Sequence, residues 1–385
     1  MENFVYQNPV KICFGENVVE KGLGKAVKNF GKKALFIYGM NSIKKSGLYD
    51  TVVEQLKAQN IEIVEHAGVQ ANPTLKHAKA GIKKAIDKKV DVIVAVGGGS
   101  VIDEAKAIGI GAKGVDIWDY LCGKVPAKAC LPIITILTMP ATASEMNGGF
   151  VITNEKTQEK FGAYGIQDSY PKVSFLNPKY TLTIPLNQTA YAASDMIAHL
   201  LESYISTQKD VCVIDNYVEG MLKSVMESVL RIVKNPTDLD ARANFMWAGS
   251  LAWNGTGVLA YKNNVMAGHA IEHPISGVYN IAHGAGLSMV IPAWLEYFSA
   301  TYSKRILKFG KNVLGVKSKN PSDVVDALLD FYCAIGTPIS WKQAGIKKPN
   351  YKFLAKEARK LLTMWGEKSG LYEEFDLEKI YKLIK

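Results

Sequence analysis

The stretch "HAIEHPISGVYNIAHG", residues 269–284, carries His269, His273 and His283, half of the six histidines in a 385-residue chain. A second stretch, "SDMIAHLLES", sets Asp195 and His199 four residues apart inside a strong helical pattern. Side chains at i and i+4 share a helix face, so each pair can converge on one point. Alone, a DxxxH spacing reads as an ordinary polar helix face. Together the two stretches collect four histidines and an aspartate, a nitrogen-rich set with one carboxylate that suits Fe(II) or Zn(II) and contains no thiolate. Pro274 and Gly277 are expected to turn the chain before His283, and ligands drawn from two helical segments opposite a nucleotide domain describe a catalytic cleft.

The nucleotide domain is read from "VIVAVGGGSVIDEAKAIG", where Gly97, Gly98, Gly99 and Ser100 stand between a buried strand and a helix. Glycines there let backbone N–H groups approach a phosphate, and the helix N-terminus adds roughly half a positive charge. Ile102 occupies the place of the third glycine in GxGxxG, and a tight turn with Ser100 as N-cap is the plain structural alternative. Further upstream, "YGMNSIKKSG" offers Gly39, Asn41, Ser42, Lys44 and Lys45 with no acid before Asp50. An NAD site places a carboxylate on the ribose 2′-hydroxyl, whereas a 2′-phosphate wants small donors and cations, so this turn favours NADP(H); a solvated turn with surface lysines is the alternative.

These residues need elements to hold them. "ALFIYG" (34–39), "IEIVEH" (61–66), "VDVIVAVGGG" (90–99) and "CLPIITILTMP" (130–140) read as strands, with helical periodicity after the first two, as in "LYDTVVEQLKA". That alternation implies a parallel sheet covered by helices. "FVITN" and "KVSFL" are short strands, and almost everything after about Thr183 is helical. The expected fold is an α/β dinucleotide-binding domain over residues 1–184 joined to an all-helical metal and substrate domain over 185–385.

Composition limits the function classes. At 48% hydrophobic and 21% charged the chain has the make-up of a globular protein, and its net charge of +10 comes from scattered lysines without a basic, aromatic-interleaved block. Phosphorylated ligands suit that surface better than nucleic acid. The five cysteines, Cys13, Cys122, Cys130, Cys212 and Cys333, form no CxxC pair, which fits a reducing compartment. Without a leader pattern or a long apolar run, a cytoplasmic protein with no membrane partner is expected.

"YGMNSIKKSG", "ANP" at 71–73, "GGGSVID", "TMPATASEMNG" and "SDMIAHLLE" occur in order, and on them the chain resembles the iron-containing alcohol dehydrogenases from Phe4 to beyond His283, most closely the NADPH-using, butanol dehydrogenase-like branch. The resemblance implies that Asp195, His199, His269 and His283 hold the metal and that His273 lies between metal and nicotinamide. It also implies that Asn72, Gly98, Gly99, Ser100, Thr138, Thr142, Asn147 and Lys160 line the cofactor, with Lys156 a neighbouring candidate for the lysine. The aspartate of NAD-preferring relatives is replaced by Gly39, in keeping with NADP(H). The resemblance further implies a homodimer.

Single residues carry two readings each. Glu202 is a partner of the metal ligands or an exposed carboxylate; Asp103 steadies a helix N-terminus or touches cofactor, the former preferred. Trp118, Trp247 and Trp253 line an apolar pocket or lie in the core, and Cys122 is a thiol near the cleft or a buried inert one. The function expected is reversible reduction of aldehydes such as butanal to primary alcohols, with His273 handling the proton. Competing readings are a polyol dehydrogenase of the glycerol type, a lyase of the dehydroquinate synthase kind, and a non-catalytic NADP-binding module.

Overall fold

The computed structural model describes residues 1–207, 209–261 and 265–385, which group into two units, Gln7–Thr183 and Met1–Tyr6 with Ile184–Lys385. In the first unit the chain runs through β1 (Lys11–Phe14), α1 (Val18–Lys28), β2 (Lys33–Tyr38), α2 (Ser42–Lys45), α3 (Leu48–Lys57), β3 (Glu62–Ala67), α4 (Leu75–Asp87), β4 (Val92–Gly98), α5 (Gly99–Gly111), α6 (Ile117–Leu121), β5 (Ile133–Met139), β6 (Phe150–Asn154), β7 (Glu159–Ala163) and β8 (Val173–Leu176). Six strands form one sheet in the order β1-β8-β5-β4-β2-β3, each neighbouring pair parallel. β6 and β7 form a separate antiparallel hairpin.

Val92, Ile93, Val94, Ala95 and Val96 of β4 are all fully buried, as expected of a parallel strand covered on both faces. Val19, Leu23 and Val27 of α1 and Val52 and Leu56 of α3 pack with Phe36, Val94 and Ile136 of the sheet. Each such large side chain contributes roughly 2 kcal/mol by leaving water. From β2 the chain goes outward to β3, whereas β4, on the other side of β2, leads on to β5. The carboxyl ends of β2 and β4 therefore flank the point where the progression reverses, the position at which open α/β sheets hold ligands.

The second unit is helical: α7 (Leu186–Ser206), α8 (Cys212–Lys234), α9 (Leu239–Ala252), α10 (Ala267–Tyr279), α11 (His283–Tyr297), α12 (Ser303–Phe309), α13 (Pro321–Ile335), α14 (Tyr351–Met364) and α15 (Glu374–Leu383). α7 packs against α8 and α11, and α10 against α11 and α14. The unit starts at Ile184, next to the expected change at 184/185, and it also takes Met1–Tyr6. Those six residues are tied there by the Glu2 N–H donating to Ala260 O at 3.2 Å and by Thr256 Oγ1 on Tyr6 Oη at 3.1 Å.

One expectation about this unit is corrected. Pro274 and Gly277 do not turn the chain; both lie inside α10, which ends at Asn280 in the left-handed conformation with φ 51°. Proline removes one backbone hydrogen bond, and here the packing of a buried helix on α11 and α14 outweighs that local cost. Asparagine tolerates the left-handed region better than most side chains. Among the described residues no helix is long and apolar enough to cross a membrane.

Candidate metal centre and dinucleotide loop

Asp195 and His199 project from α7 one turn apart, His269 from the first turn of α10, and His283 opens α11. One carboxylate oxygen gathers them. Asp195 Oδ1 lies 3.4 Å from His199 Nδ1, 3.4 Å from His269 Nε2 and 3.7 Å from His283 Nε2. Two ligand atoms about 2.1 Å from a shared ion at the tetrahedral angle stand about 3.4 Å apart. Asp195 Oδ1, His199 Nδ1 and His269 Nε2 are buried with no hydrogen-bond partner among the described residues. Buried polar atoms are normally paired, so three inward-facing orphans of nitrogen and carboxylate type fit a borderline divalent ion.

The outer nitrogens are held by carboxylates. His269 Nδ1 lies 2.5 Å from Glu202 Oε1, and the His269 backbone N–H donates to Glu202 Oε2 at 3.2 Å. His283 Nδ1 contacts Glu272 Oε2, while Ser276 Oγ donates to Glu272 Oε1. A carboxylate on the far nitrogen sets tautomer and ring direction and raises ligand basicity. Glu202 and Glu272 are fully buried, so the exposed-carboxylate reading of Glu202 is overturned: its face of α7 packs inward. Glu272 was missed by sequence reasoning, although an acid between two histidines on an otherwise apolar helix was an available signal. Two glycines make room for these acids. A Cβ at Gly286 would stand 2.4 Å from Glu272 Oε1, and one at Gly268 3.0 Å from Glu202 Cδ.

Burial drives His199 down to about 3, against the pull of Asp195. Burial would raise Asp195, but the imidazoles of His199, His269 and His283 hold it below the usual carboxylate range. Burial opposes charge on His269, yet Glu202 and Asp195 outweigh it and lift the ring to about 10. His269 would have to give up that proton to hold an ion, so metal affinity is expected to fall with falling pH.

His273 is buried beside the centre, its ring 5.4 Å from that of His283 and edge-on to Trp365 at 5.4 Å. Trp253 stacks on His199 at 5.3 Å and 25°, which places it at the metal centre rather than in a remote core. Trp365, distant in sequence from every motif, carried no signal. Trp247 is 37% exposed, so it is not a core residue. Trp118 stacks on Phe161 in the first unit, and Cys122 is half-buried rather than fully enclosed.

In the first unit, Gly39 follows β2, Gly98 caps α5, and Thr138 lies near the end of β5. A Cβ on Gly99 would stand 2.4 Å from Thr142 Oγ1, so these two residues meet at the loop. No side chain caps α5; Ser100 is its second residue, and the reading of Ser100 as N-cap is corrected because Gly98 takes that place. The amide ends of α5 stay available to an anion. Asn41 and Ser42 open α2. Asn72 adopts φ 54° in the turn between β3 and α4. Lys160 is a buried residue of β7 and Lys156 an exposed turn residue.

Asp103 does not serve the N-terminus of α5, the preferred of its two readings. It accepts the Ser144 hydroxyl at 2.6 Å and the Val151 N–H at 3.0 Å; burial raises its pKa against the pull of Lys106. Lys106, fully buried, donates to Ser144 Oγ at 2.8 Å, Asn147 Oδ1 at 3.1 Å and Gly149 O at 2.7 Å. Asn147 in turn donates to Ala143 O at 2.9 Å. The segment 142–149 is thereby pinned to α5 by a buried ammonium.

Residues 9–178 match the family described as iron-containing alcohol dehydrogenase, and residues 189–385 match its C-terminal family. The chain is 34% identical over 392 residues to a probable NADH-dependent butanol dehydrogenase 2 of Bacillus subtilis, covering 100% of this chain and 99% of the relative. It is 30% identical to the NADPH-dependent aldehyde reductase YqhD of Escherichia coli, covering 95% and 96%. The crystal structure of NADH-dependent butanol dehydrogenase A from Thermotoga maritima superposes with a TM-score of 0.95 at 39% identity, covering 100% of this chain and 99% of that one. The chain belongs to the iron-containing alcohol dehydrogenase family. Its activity is oxidoreduction between alcohols and aldehydes, with a nicotinamide cofactor and a divalent metal ion.

Proposed function

We propose that this protein reduces small aldehydes, butanal among them, to primary alcohols with NADPH, and that Asp195, His199, His269 and His283 hold Fe(II) in preference to Zn(II). The observation that carries the reading is the convergence of three imidazole nitrogens on Asp195 Oδ1, each 3.4–3.7 Å away. When bound, the ion polarises the carbonyl oxygen and the nicotinamide supplies the hydride. The chain's residues do the rest. Glu202 and Glu272 fix the directions of His269 and His283; Trp253 and Trp365 flank the centre with apolar surface; His273, or a water it holds, carries the proton for the product hydroxyl.

For the cofactor, Gly39, Asn41, Ser42, Asn72, Gly98, Gly99, Ser100, Thr138, Thr142, Asn147 and Lys160 form the contact set. NADP(H) preference is supported by Gly39 and by Glu65, the carboxylate of β3 near this turn. Its oxygens accept from Tyr38 Oη at 2.5 Å and Tyr49 Oη at 2.7 Å, so a ribose hydroxyl would have to share an acceptor already engaged by two phenols. A second reading, NADH, is favoured by the cofactor named for the Bacillus and Thermotoga relatives and by Lys44, which lies over the Tyr38 and Tyr49 rings at 5.4 and 4.9 Å. The proposed enzyme is a cytoplasmic homodimer.

The deciding experiment follows NADPH and NADH oxidation with butanal in protein as prepared, stripped with a chelator, and restored with Fe(II) or Zn(II). Activity lost on stripping and regained best with Fe(II) and NADPH is expected; activity indifferent to verified metal removal overturns the proposal. His273→Ala is expected to lower turnover by about a hundredfold, the low end for general acid catalysis, and to flatten the pH–rate profile. Unchanged turnover and profile would remove His273 from the proton path.

A further inference from the structure

The two histidines outside the metal centre also meet. His66 near the end of β3 and His77 in the first turn of α4 stack with ring centroids 4.3 Å apart, and both face Glu104 on α5. His66 Nε2 lies 3.0 Å and His77 Nδ1 2.7 Å from the same oxygen, Glu104 Oε1. Glu104 is fully buried and His66 is 3% exposed. The other carboxylate oxygen, Glu104 Oε2, is buried with no hydrogen-bond partner among the described residues.

The donor count at His77 calls for a cation, either a metal ion or a proton, between it and Glu104. Its Nε2 lies 3.1 Å from the carbonyl oxygen of Ala67, which can only accept, so Nε2 carries the hydrogen. In the neutral ring Nδ1 then presents a lone pair to a carboxylate oxygen 2.7 Å away. Two lone pairs do not face each other at that distance without a cation. A backbone carbonyl on the far nitrogen is the usual support of a metal-bound imidazole. Two imidazoles and a carboxylate form a donor set for zinc-like ions and not for Mg(II) or Ca(II). The three donor atoms lie within 4.8 Å of one another.

We infer that His66, His77 and Glu104 form a second divalent cation site of the Zn(II), Ni(II) or Co(II) class, separate from the Asp195 centre and lying within the Gln7–Thr183 unit. An ion there joins β3, α4 and α5, the helix that starts at the glycine loop, and so braces the dinucleotide loop from behind. The half-exposed face of His77 is its route in.

The test counts Zn(II) bound to the full chain by equilibrium dialysis, with thermal unfolding read in parallel. The Asp195 centre is disabled by Asp195→Asn combined with His199→Ala and His269→Ala, which leaves a single imidazole of its ligand set. Wild type is expected to bind two equivalents, this centre-less variant one, His77→Ala one, and the centre-less variant carrying His77→Ala none. Zn(II) is expected to raise the unfolding midpoint of the centre-less variant but not of the one that also carries His77→Ala. Glu104→Gln and His77→Gln, which keep side-chain volume, guard against loss by misfolding, with far-UV circular dichroism as the check. The inference is overturned if wild type binds a single equivalent that the centre-less variant loses, or if folded His77 and Glu104 variants keep the second equivalent. A proton as the bridging cation corresponds to the first of those outcomes.

Discussion

Glu202 Oε1 stands 2.5 Å from His269 Nδ1, and Glu202 Oε2 accepts the backbone N–H of the same histidine at 3.2 Å. One carboxylate thus fixes both the ring and the main chain of a residue whose other nitrogen points at Asp195. Glu202→Gln keeps the volume and removes the charge. Metal affinity should fall by about 10- to 100-fold, the range for loss of such a partner, with native circular dichroism retained. Competition for Zn(II) against a chromophoric chelator measures it, and an affinity within twofold of wild type would refute the role.

Lys106 makes a different prediction, because it touches the segment 142–149 rather than the metal. Lys106→Met should raise the KM for the nicotinamide cofactor about tenfold, the equivalent of one hydrogen bond to a charged group, with a smaller change in kcat. Burial lowers the Lys106 ammonium to about 8 from 10.5, against the pull of Asp103. Between those values the unfolded chain binds more protons than the native one, so this group makes stability rise with pH across that window. Because the other titrating groups are common to both proteins, the difference in urea midpoint between wild type and Lys106→Met should shift in favour of wild type as pH rises through that window.

Cofactor preference is open to a single substitution. A Cβ at Gly39 would lie 3.4 Å from Val69 O and 4.0 Å from Val101 Cγ2, so the backbone there admits a side chain and Gly39→Asp is the substitution to make. Its carboxylate would repel a 2′-phosphate and accept from a 2′-hydroxyl. The ratio of kcat/KM for NADH over NADPH should rise about tenfold, or 1.4 kcal/mol. A ratio that stays put would place the 2′ position away from Gly39.

In the helical unit Arg305 holds Asp215 with both arms, at 2.8 and 2.9 Å, and lies over the Tyr204 ring at 3.9 Å. Tyr261 Oη adds a hydrogen bond to Asp215 at 2.6 Å. Burial would raise Asp215, but Arg305, Lys308 and Tyr261 hold it below the usual carboxylate range. A depressed carboxylate stabilises the fold above its unfolded value and loses that stabilisation as pH falls. Asp215→Asn should therefore cost about 3 kcal/mol at neutral pH, and the gap to wild type should shrink below about pH 4. Chemical denaturation at several pH values checks both parts.

The elements carrying these residues were legible because their signals are local. The apolar, aromatic run at 34–39 and the apolar run into Gly97–Gly99 became β2 and β4, and the Asp195–His199 spacing fell on one face of α7. The turn assigned to Pro274 and Gly277 was misread because proline's local preference yielded to the packing of a buried helix. The helix-terminus reading of Asp103 failed because its partners, Ser144 and Val151, are remote in sequence.

Residue type and short-range spacing, which depend only on backbone periodicity, were determined by the sequence itself: a glycine loop before a helix, histidines one turn apart, no acid after β2. Which of those groups share a site was decided by tertiary structure. Glu272 reaches His283 across the turn at Asn280, and Glu104 meets His66 and His77 where α5 passes beside α4 and β3. Such meetings depend on strand order and helix packing, and the free energy that sets them is spread over the whole buried core rather than written in any one stretch of chain.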